Sequence, residues 1–391
     1  MNSLRRDIRS FDFILLALVI ALAAFGLLMI GSATGLGEGH FSGVFINQLI
    51  FLVTGIGILL LMAFINYEFI SKFYIPIYIV NIALLIIVLF MPDTRGVARW
   101  IGMEIGGFEF GIQPSEFAKI FMIVVLAKIV DKYRDKINNP LVLGIIFVIT
   151  ALPVVLINMQ LSFSASIISI VIMLAILYSG RISYKYIVAV TFIVAPVLLF
   201  FYIDLHTARL DAESSILIDN ILTDWQQSRI WYFLYPQYAE QGVQTWQQEQ
   251  ALIAMSSGLL TGRGLFNNQT IVPEATNDFI FSIIGAEFGF IGSVGVLFIT
   301  MLIVLRCILI AHRSEVFLGR LIAAGVAVVI AFQAFTNAAI NAWLLPNTGI
   351  NFPFVSSGGS SLWVFMAMIG LVINVGMTRE YSMFENMGKK E

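Results

Sequence analysis

Long apolar runs alternate with polar connections along most of the chain. A helix rises about 1.5 Å per residue, so about 20 apolar residues cross the hydrocarbon core of a bilayer. Ten runs of about this length lie near residues 11–31, 46–66, 74–91, 114–130, 141–157, 161–178, 187–203, 278–305, 321–343 and 360–377. The pattern predicts an all-α polytopic membrane protein with about ten transmembrane helices, formed as a single integral membrane domain over residues 1–391.

The composition agrees with a surface that faces lipid. Of the 391 residues, 59% are hydrophobic and 12% are charged, against about 25% charged in a typical soluble domain. The net charge of −2 gives no reason to expect nucleic acid as a partner. Cys307 is the only cysteine and the three histidines are scattered, so we expect neither an internal disulfide nor a metal site built from local ligand spacing.

The first apolar run is predicted to be an uncleaved helix. It follows Arg5, Arg6 and Arg9, a charge layout that signal peptides share. However, the apolar core of a signal peptide is usually only about 7–15 residues, whereas this run has the length of a membrane span.

The distribution of basic residues predicts the orientation. With a cytoplasmic N-terminus, the inner connections and tails hold 16 of the 22 lysines and arginines, five lie outside, and Lys119 lies within a span. This excess of positive charge on the inner side favours the orientation over its inverse. Both termini are therefore predicted to be cytoplasmic.

Three long polar segments then lie on the outer side. They cover residues 92–113, about 205–277 and 346–359, and the second forms a large outer loop between helices 7 and 8. Long loops of this kind tend to carry function, so we expect chemistry at the outer face.

The fourth predicted helix begins with Pro114, which suits a first helical turn. Glu116 and Lys119 are three residues apart and are therefore neighbours on one helix face. Ionisable residues inside a membrane usually pair or face a cavity. The two residues are either a structural ion pair or part of a polar cavity that binds an anionic, partly lipidic substrate.

Arg95, Arg99 and Trp100 lie in the outer segment before that helix. Tryptophan at a membrane interface is commonly an anchor. Beside arginines it could instead stack on a sugar or steady a phosphate.

The segment Val272–Phe281 marks the end of the large outer loop. Asn277 is a plausible N-cap and Asp278 falls in the expected first turn, where the helix dipole favours negative charge. Capping alone would account for one such acid. Alternatively, partial desolvation at the mouth of a cavity would raise the pKa of Asp278 towards that of a useful base, and the like charge of Glu274 acts in the same direction.

Glu287 follows Asp278 by nine residues. In an ideal helix, this spacing places the two carboxylates on opposite faces and about 13 Å apart along the axis. They are therefore not expected to form a close catalytic pair.

The last outer segment, Leu345 to Ser361, is rich in glycine, proline and serine. It is predicted to be irregular backbone, which at membrane depth is tolerated only when it is buried in protein or lines a wet cavity.

On these motifs the chain resembles the RodA/FtsW/SpoVE (SEDS) family of bacterial cell-wall polymerases. The resemblance covers most of the chain, and the matching motifs fall in the family's order. They are Arg99-Trp100-Ile101, Gln113 to Lys119, Gln247 to Gly264, Asp278-Phe279-Ile280-Phe281, Pro353 to Ser356 and Gly358 to Ser361.

The resemblance implies a peptidoglycan glycosyltransferase that polymerises lipid II at the outer face of the cytoplasmic membrane, releasing undecaprenyl diphosphate with inversion. It also implies a class B penicillin-binding protein, a transpeptidase, as partner. Asp278 matches the family's catalytic aspartate and would act as general base. The resemblance and the position of these residues at the outer side suggest a substrate-binding set. It consists of Arg99, Trp100, Glu116, Lys119, Arg229, Gln247, Ser356 and Ser360.

Charge on the leaving diphosphate would be compensated by arginine or lysine side chains or by a divalent cation, Mg²⁺ or Mn²⁺. Two other functions stay open from the sequence. A flippase for lipid II would use the same cavity without needing Asp278 as a base, and a non-catalytic scaffold would only recruit the transpeptidase.

Overall fold

The computed structural model describes ten parts of the chain. They are residues 4–6, 10–39, 41–91, 99–105, 108–186, 188, 229–231, 233–235, 246–267 and 271–380. The large predicted outer loop, about 205–277, therefore falls mostly outside the described residues, as does the predicted seventh span, 187–203, except for residue 188.

The fold is mostly helical. In chain order, the α-helices are α1 (Phe13–Ala33), α2 (Gly43–Phe64), α3 (Tyr67–Lys72), α4 (Tyr74–Leu89), α5 (Pro114–Lys132), α6 (Pro140–Met159), α7 (Phe163–Ser179), α8 (Trp246–Ser257), α9 (Ile280–Arg313), α10 (Phe317–Asn341) and α11 (Gly359–Met377). Short 3-10 turns cover Leu36–Glu38 and Arg134–Lys136.

Nine of the ten predicted spans coincide with helices, namely α1, α2, α4 to α7 and α9 to α11. In the part of the chain that the structure describes, six helices are long and apolar enough to cross a membrane: α1, α2, α6, α9, α10 and α11. α4 and α7 are apolar but shorter, and α5 carries charged residues in its first and last turns.

Two short antiparallel strand pairs were not predicted from the hydropathy pattern. β1 (Leu4–Arg6) pairs with β4 (Thr378–Glu380), and β2 (Ile101–Ile105) pairs with β3 (Phe108–Ile112). The first pair brings the two ends of the chain together, and Arg306 of α9 is bound nearby to Asp12, with 2.8 Å from Nη2 to each carboxylate oxygen. We call this the tail end of the bundle.

The opposite end, which we call the site end, carries the β2–β3 hairpin and the polar segments 273–279 and 342–358. The Gln113 amide donates to Ser360 Oγ at 3.1 Å, and that hydroxyl donates to Gly111 O at 3.1 Å. The Ser357 amide donates to Thr276 O at 2.7 Å. The start of α5, the turn before α9 and the start of α11 are therefore joined.

α5, α10 and α11 form the interior of the bundle. Most of their residues are buried, including Phe365 and Met366 of α11. By contrast, α2, α4 and α6 each bury only a few residues and expose large apolar side chains. This arrangement fits a bundle whose outer helices face lipid.

The helix predicted over 278–305 is present as α9, but it differs from the prediction in two respects. α9 begins at Ile280, after a turn that contains Asp278, and its backbone is broken at Gly289 (φ 65°, ψ −161°). The segment after α8 fills the break. The amides of Phe290 and Ile291 donate to Leu259 O and Leu260 O at 2.9 and 3.1 Å, and those of Arg263 and Gly264 donate to Ala286 O and Glu287 O, both at 3.0 Å. These bonds satisfy the backbone groups that the break frees.

We expect Gly289→Ala to destabilise the protein, because its φ lies in the left-handed region and an added Cβ would collide with the backbone of Leu260 and Gly262. The backbone conformation alone costs about 1–2 kcal/mol. Gly295→Ala, in the second half of the same helix, is the control, since a Cβ there meets no atom within 4 Å. Thermal unfolding in detergent should show a lower temperature for the first variant only; equal values would contradict a required break.

Candidate active site

The centre of the site end is the turn at residues 273–279, which carries Asp278. Its backbone carbonyl accepts hydrogen bonds from Asn337 Nδ2 at 2.8 Å and Asn341 Nδ2 at 3.1 Å, both from α10. Its carboxylate lies against Gly349, where an added Cβ would be 3.4 Å from Asp278 Oδ2. Helix α10 therefore binds the backbone of Asp278, and the loop 342–358 contacts its carboxylate.

The predicted N-cap role of Asn277 is wrong. The N-cap position of α9 is Phe279, without a side-chain cap, and Asn277 Nδ2 instead donates to Glu274 Oε2 at 2.7 Å. Asn341 Oδ1 accepts from the Ser282 amide at 3.0 Å. A side chain of another helix thus satisfies the backbone donor that a local cap would have satisfied.

Asp278 is subject to opposing electrostatic influences. Burial raises the pKa of its carboxyl to about 6, although the residue keeps part of its surface exposed, and the like charge of Glu274 raises it too. The positive charges of Arg229 and Arg99 act in the lowering direction. The result is a carboxylate that is mostly ionised at neutral pH but basic enough to accept a proton.

Arg99 and Arg229 are held by backbone carbonyls. Arg99 Nε donates to Gln160 O at 3.0 Å and its Nη2 donates to Leu161 O. Arg229 Nη1 donates to Asn347 O at 2.9 Å. Burial lowers the pKa of Arg229 to about 10 and also lowers that of Arg99, and both guanidinium groups stay charged at neutral pH. Their positive charges act on the Asp278 carboxylate.

The expected proximity of Glu116 and Lys119 is confirmed. Lys119 Nζ lies 2.8 Å from each Glu116 carboxylate oxygen and 3.3 Å from Gln333 Oε1, and it is 5.5 Å from the centre of the Phe365 ring. Lys119 is only 1% exposed. Glu116 and Gln333 already compensate the charge of Lys119. The structural ion pair, one of the two alternatives from the sequence, is therefore present.

Ser356 and Ser360 both bridge backbone segments at this end. Ser356 Oγ donates to Asn277 O at 2.7 Å and accepts from the Phe352 amide at 2.7 Å. Ser360 joins Gln113 and Gly111, as described above. The predicted irregular, buried loop is confirmed, because no helix lies between Asn341 and Gly359 and residues 352–356 are buried.

Trp100 and Gln247 lie nearer the surface. Trp100 is 40% exposed and packs over Gly111 of the hairpin, while Gln247 is half-buried on α8. Its neighbour Gln248 is buried, and Gln248 Nε2 donates to Ile340 O at 2.7 Å and Leu345 O at 2.8 Å. The side chain of α8 that fixes the loop after α10 is therefore Gln248.

The side chain of Glu287 is bound to α1, and its separation from Asp278 stays a prediction. It is buried, and its Oε1 accepts a hydrogen bond from Ser32 Oγ of α1.

Four buried amides that were not predicted from the sequence organise the site end. Gln48 Oε1 accepts from the Gly358 amide at 3.1 Å, and Gln160 Nε2 donates to Leu85 O at 3.1 Å. The other two are Asn337 and Asn341. Their only signal in the sequence is an amide inside an otherwise apolar run, which costs free energy unless it is paired.

The site end offers few ligands for a divalent cation. Among the described residues, no group of three or more histidine, cysteine, aspartate or glutamate side chains could hold a metal ion. The two acids of the turn, Glu274 and Asp278, are accompanied by two arginines. This set does not fit a cation held by protein ligands alone.

Comparison with known proteins gives a consistent picture. The model of the FtsW, RodA and SpoVE family, described as cell cycle proteins, matches residues 12–381. The probable peptidoglycan glycosyltransferase FtsW of Trichlorobacter lovleyi is 30% identical, with 96% of each chain covered. The protein of the same name from Bacillus subtilis is 31% identical, covering 99% of this chain and 95% of the relative. Peptidoglycan glycosyltransferase MrdB of Escherichia coli is 30% identical over 94% of each.

Solved structures support the fold. One, from work on the structural coordination of polymerization and crosslinking by a peptidoglycan synthase complex, matches with a TM-score of 0.76 at 23% identity, covering 94% of this chain and 97% of the other. The rod shape determining protein RodA of Thermus thermophilus matches with a TM-score of 0.66 at 22% identity, covering 95% and 98%.

We expect Lys119→Met to destabilise the protein by about 3–5 kcal/mol, because it leaves the Glu116 carboxylate buried without its partner. Lys128→Met is a matched control on the same helix, since Lys128 forms an ion pair of the same spacing with Asp131 at 3.3 Å but is about one quarter exposed. That change should cost no more than about 1 kcal/mol. Equal unfolding temperatures for the two variants would contradict the buried pair.

Proposed function

Because the chain belongs to the FtsW/RodA/SpoVE family of cell cycle proteins, we propose that it is a peptidoglycan glycosyltransferase that polymerises lipid II into glycan strands. Its curated relatives carry that activity in their names. The role of such an enzyme is in cell-wall synthesis during shape maintenance, division or sporulation. The observation that carries the assignment of the site is the position of Asp278, which is half-buried, lies against Gly349 and is subject to the positive charges of Arg99 and Arg229.

Asp278 acts as the general base. Its carboxylate takes the proton of the acceptor sugar's 4-hydroxyl as that oxygen attacks the anomeric carbon of the donor. The bond from the anomeric carbon to the diphosphate breaks, and undecaprenyl diphosphate leaves with the bonding electron pair. A single displacement of this kind inverts the α-linked donor into a β-linked polymer.

Arg99 and Arg229 compensate the charge that develops on the diphosphate. Both are fixed by backbone carbonyls before substrate binds, so little reorganisation is needed in the transition state. Lys119 is less suited to direct contact because Glu116 and Gln333 already surround its ammonium group. The buried pair instead shapes the wall of the substrate cavity. Trp100, Gln247, Ser356 and Ser360 complete the proposed substrate-binding set.

The proposed topology has ten spans in a single domain, with both termini cytoplasmic and the large loop of about 205–277 outside. The β1–β4 pair supports it, since it joins the two ends of the chain at the tail end and calls for an even number of crossings. Ser183 bonds to Asn138 after α5, whereas Arg229 bonds to Asn347 at the site end. Ser183 therefore lies at the tail end and Arg229 at the site end, which favours a further membrane crossing between these two residues.

The proposed membrane is the bacterial cytoplasmic membrane, with the site end at its outer face. The positive charge at the tail end supports this orientation. The proposed partner is a class B penicillin-binding protein, which would crosslink the strands that this chain polymerises. The similarity to a structure from a peptidoglycan synthase complex supports such an association.

The break in α9 favours one alternative, a lipid II flippase, because transporters commonly use broken helices near their substrate sites. A flippase has no need of a base at Asp278. A polymerisation assay therefore separates the two functions.

We expect Asp278→Asn to lower lipid II polymerisation by about 10²- to 10⁴-fold, since the amide cannot accept the proton. The assay measures glycan strands made from labelled lipid II by the purified protein with its transpeptidase partner. Glu274→Gln is the control, because it removes a neighbouring charge from the same turn and keeps the base. Strand synthesis at the wild-type rate by a folded Asp278→Asn protein would rule out the assigned base.

The polymerisation rate should fall as the pH drops through about 6, because Asp278 then becomes protonated. Arg229 lowers that pKa, so Arg229→Gln should move the acidic limb of the profile to higher pH. Arg229→Lys keeps the charge and should leave the limb near its wild-type position. A limb that does not differ among the three proteins would contradict electrostatic coupling between Arg229 and Asp278.

A further inference from the structure

Asn337 and Asn341 of α10 are both fully buried, at 0% exposure. They are four residues apart and therefore lie on one face of the helix, and Asn341 Nδ2 donates to Asn337 O at 2.9 Å. Neither belongs to the substrate-binding set above, and neither is titratable.

The two amides converge on one atom, the backbone oxygen of Asp278. Asn337 donates to it at 2.8 Å and Asn341 at 3.1 Å. A carbonyl oxygen has two lone pairs, so this one is fully occupied by side chains of another helix. The position of the Asp278 main chain is therefore set by α10 rather than by the helix that Asp278 precedes.

The same two side chains also bind the loop beside Asp278 and the first turn of α9. Asn337 Nδ2 donates to Ile350 O at 2.6 Å, which ties the loop beside Gly349 to the same point. Asn341 Oδ1 accepts from the Ser282 amide at 3.0 Å, which ties the first turn of α9. Loop, acid and helix start are thus linked through two side chains.

We propose that Asn337 and Asn341 are positioning residues for glycosyl transfer, which hold the Asp278 carboxylate at the distance from the acceptor hydroxyl that proton transfer requires. This inference rests on the proposed role of Asp278 as base. A displacement of about 1 Å in such a group can lower the rate about 100-fold, so a clamp on its main chain has a direct effect on catalysis.

The chain offers a matched control in Asn374 of α11. It is also 0% exposed, and its Nδ2 donates to Ala63 O and Ile65 O, both at 2.6 Å, at the tail end of the bundle. Loss of the Asn337 or the Asn374 side chain leaves buried carbonyls without a donor and should lower the stability of the protein. Of Asn337 and Asn374, only Asn337 binds the site.

The experiment measures kcat and KM for lipid II polymerisation, per folded protein and across pH, for wild type, Asn337→Ala, Asn374→Ala and Asp278→Asn. We expect Asn337→Ala to lower kcat about 10- to 100-fold with KM for lipid II within about twofold. Asn374→Ala should lower the unfolding temperature to a similar extent and leave kcat unchanged.

The pH profile adds a readout that a merely structural role would not change. The charged groups that act on Asp278 are Glu274, Arg229 and Arg99, and burial is the largest influence on its pKa. Release of the turn in Asn337→Ala should let water reach the carboxyl and move the acidic limb to lower pH. Asn374→Ala should keep the wild-type limb.

Wild-type kcat and an unshifted limb in folded Asn337→Ala, with Asp278→Asn inactive, would overturn the positioning role alone. Wild-type activity in Asp278→Asn would instead overturn the proposed base, whatever Asn337→Ala does. If Asn337→Ala does not fold, Asn341→Ala replaces it in the same measurements. It removes one of the two donors to Asp278, and a loss of kcat of about three- to tenfold is expected; an unchanged kcat would again overturn the proposal.

Discussion

Backbone that leaves helical geometry inside a bundle of apolar helices must find hydrogen-bond partners from other parts of the chain. In this protein, that requirement falls on the turn at 273–279 and the loop at 342–358. Asparagines of α10, the hydroxyl of Ser356 and the amide of Gln48 meet it. Because these partners come from α2, α10 and the loop itself, the irregular segments are held in place, and an acid placed among them has a defined position.

The charges at the site end divide into two groups with different roles. Glu116 and Lys119 neutralise each other within the interior, and Lys119 is almost completely buried. Arg99 and Arg229 donate hydrogen bonds to backbone carbonyls, and their positive charges act on the carboxylate of Asp278. Asp278 lies under the influence of the second group. A site of this kind suits a reaction in which an acid takes up a proton while negative charge develops on a leaving diphosphate.

Much of the architecture follows from local sequence pattern, and the site follows only in part. Hydropathy located nine of the helices because a membrane span has a length and polarity that a short window reveals, and three-residue spacing was enough to pair Glu116 with Lys119. The clamp on Asp278 joins residues 59 and 63 positions apart, which no local pattern encodes. Likewise, the break at Gly289 depends on the segment after α8, and the inward turn of Gln248 rather than Gln247 depends on how α8 packs. The N-cap expected at Asn277 failed for the same reason, since a distant asparagine took over its role.

The most direct measurement is the titration of Asp278 itself. Subtracting the infrared spectrum of Asp278→Asn from that of the wild-type protein isolates the carboxylic C=O band of Asp278. This band can be followed between about pH 4 and pH 8, a range that spans the ordinary and the raised pKa values of aspartate. A protonated band that disappears with a midpoint of about 6 is the expected result for a buried acid balanced between Glu274 and the two arginines. A midpoint near the ordinary value of about 4 would mean that Asp278 is a solvated surface acid, and its role as the catalytic base would be contradicted.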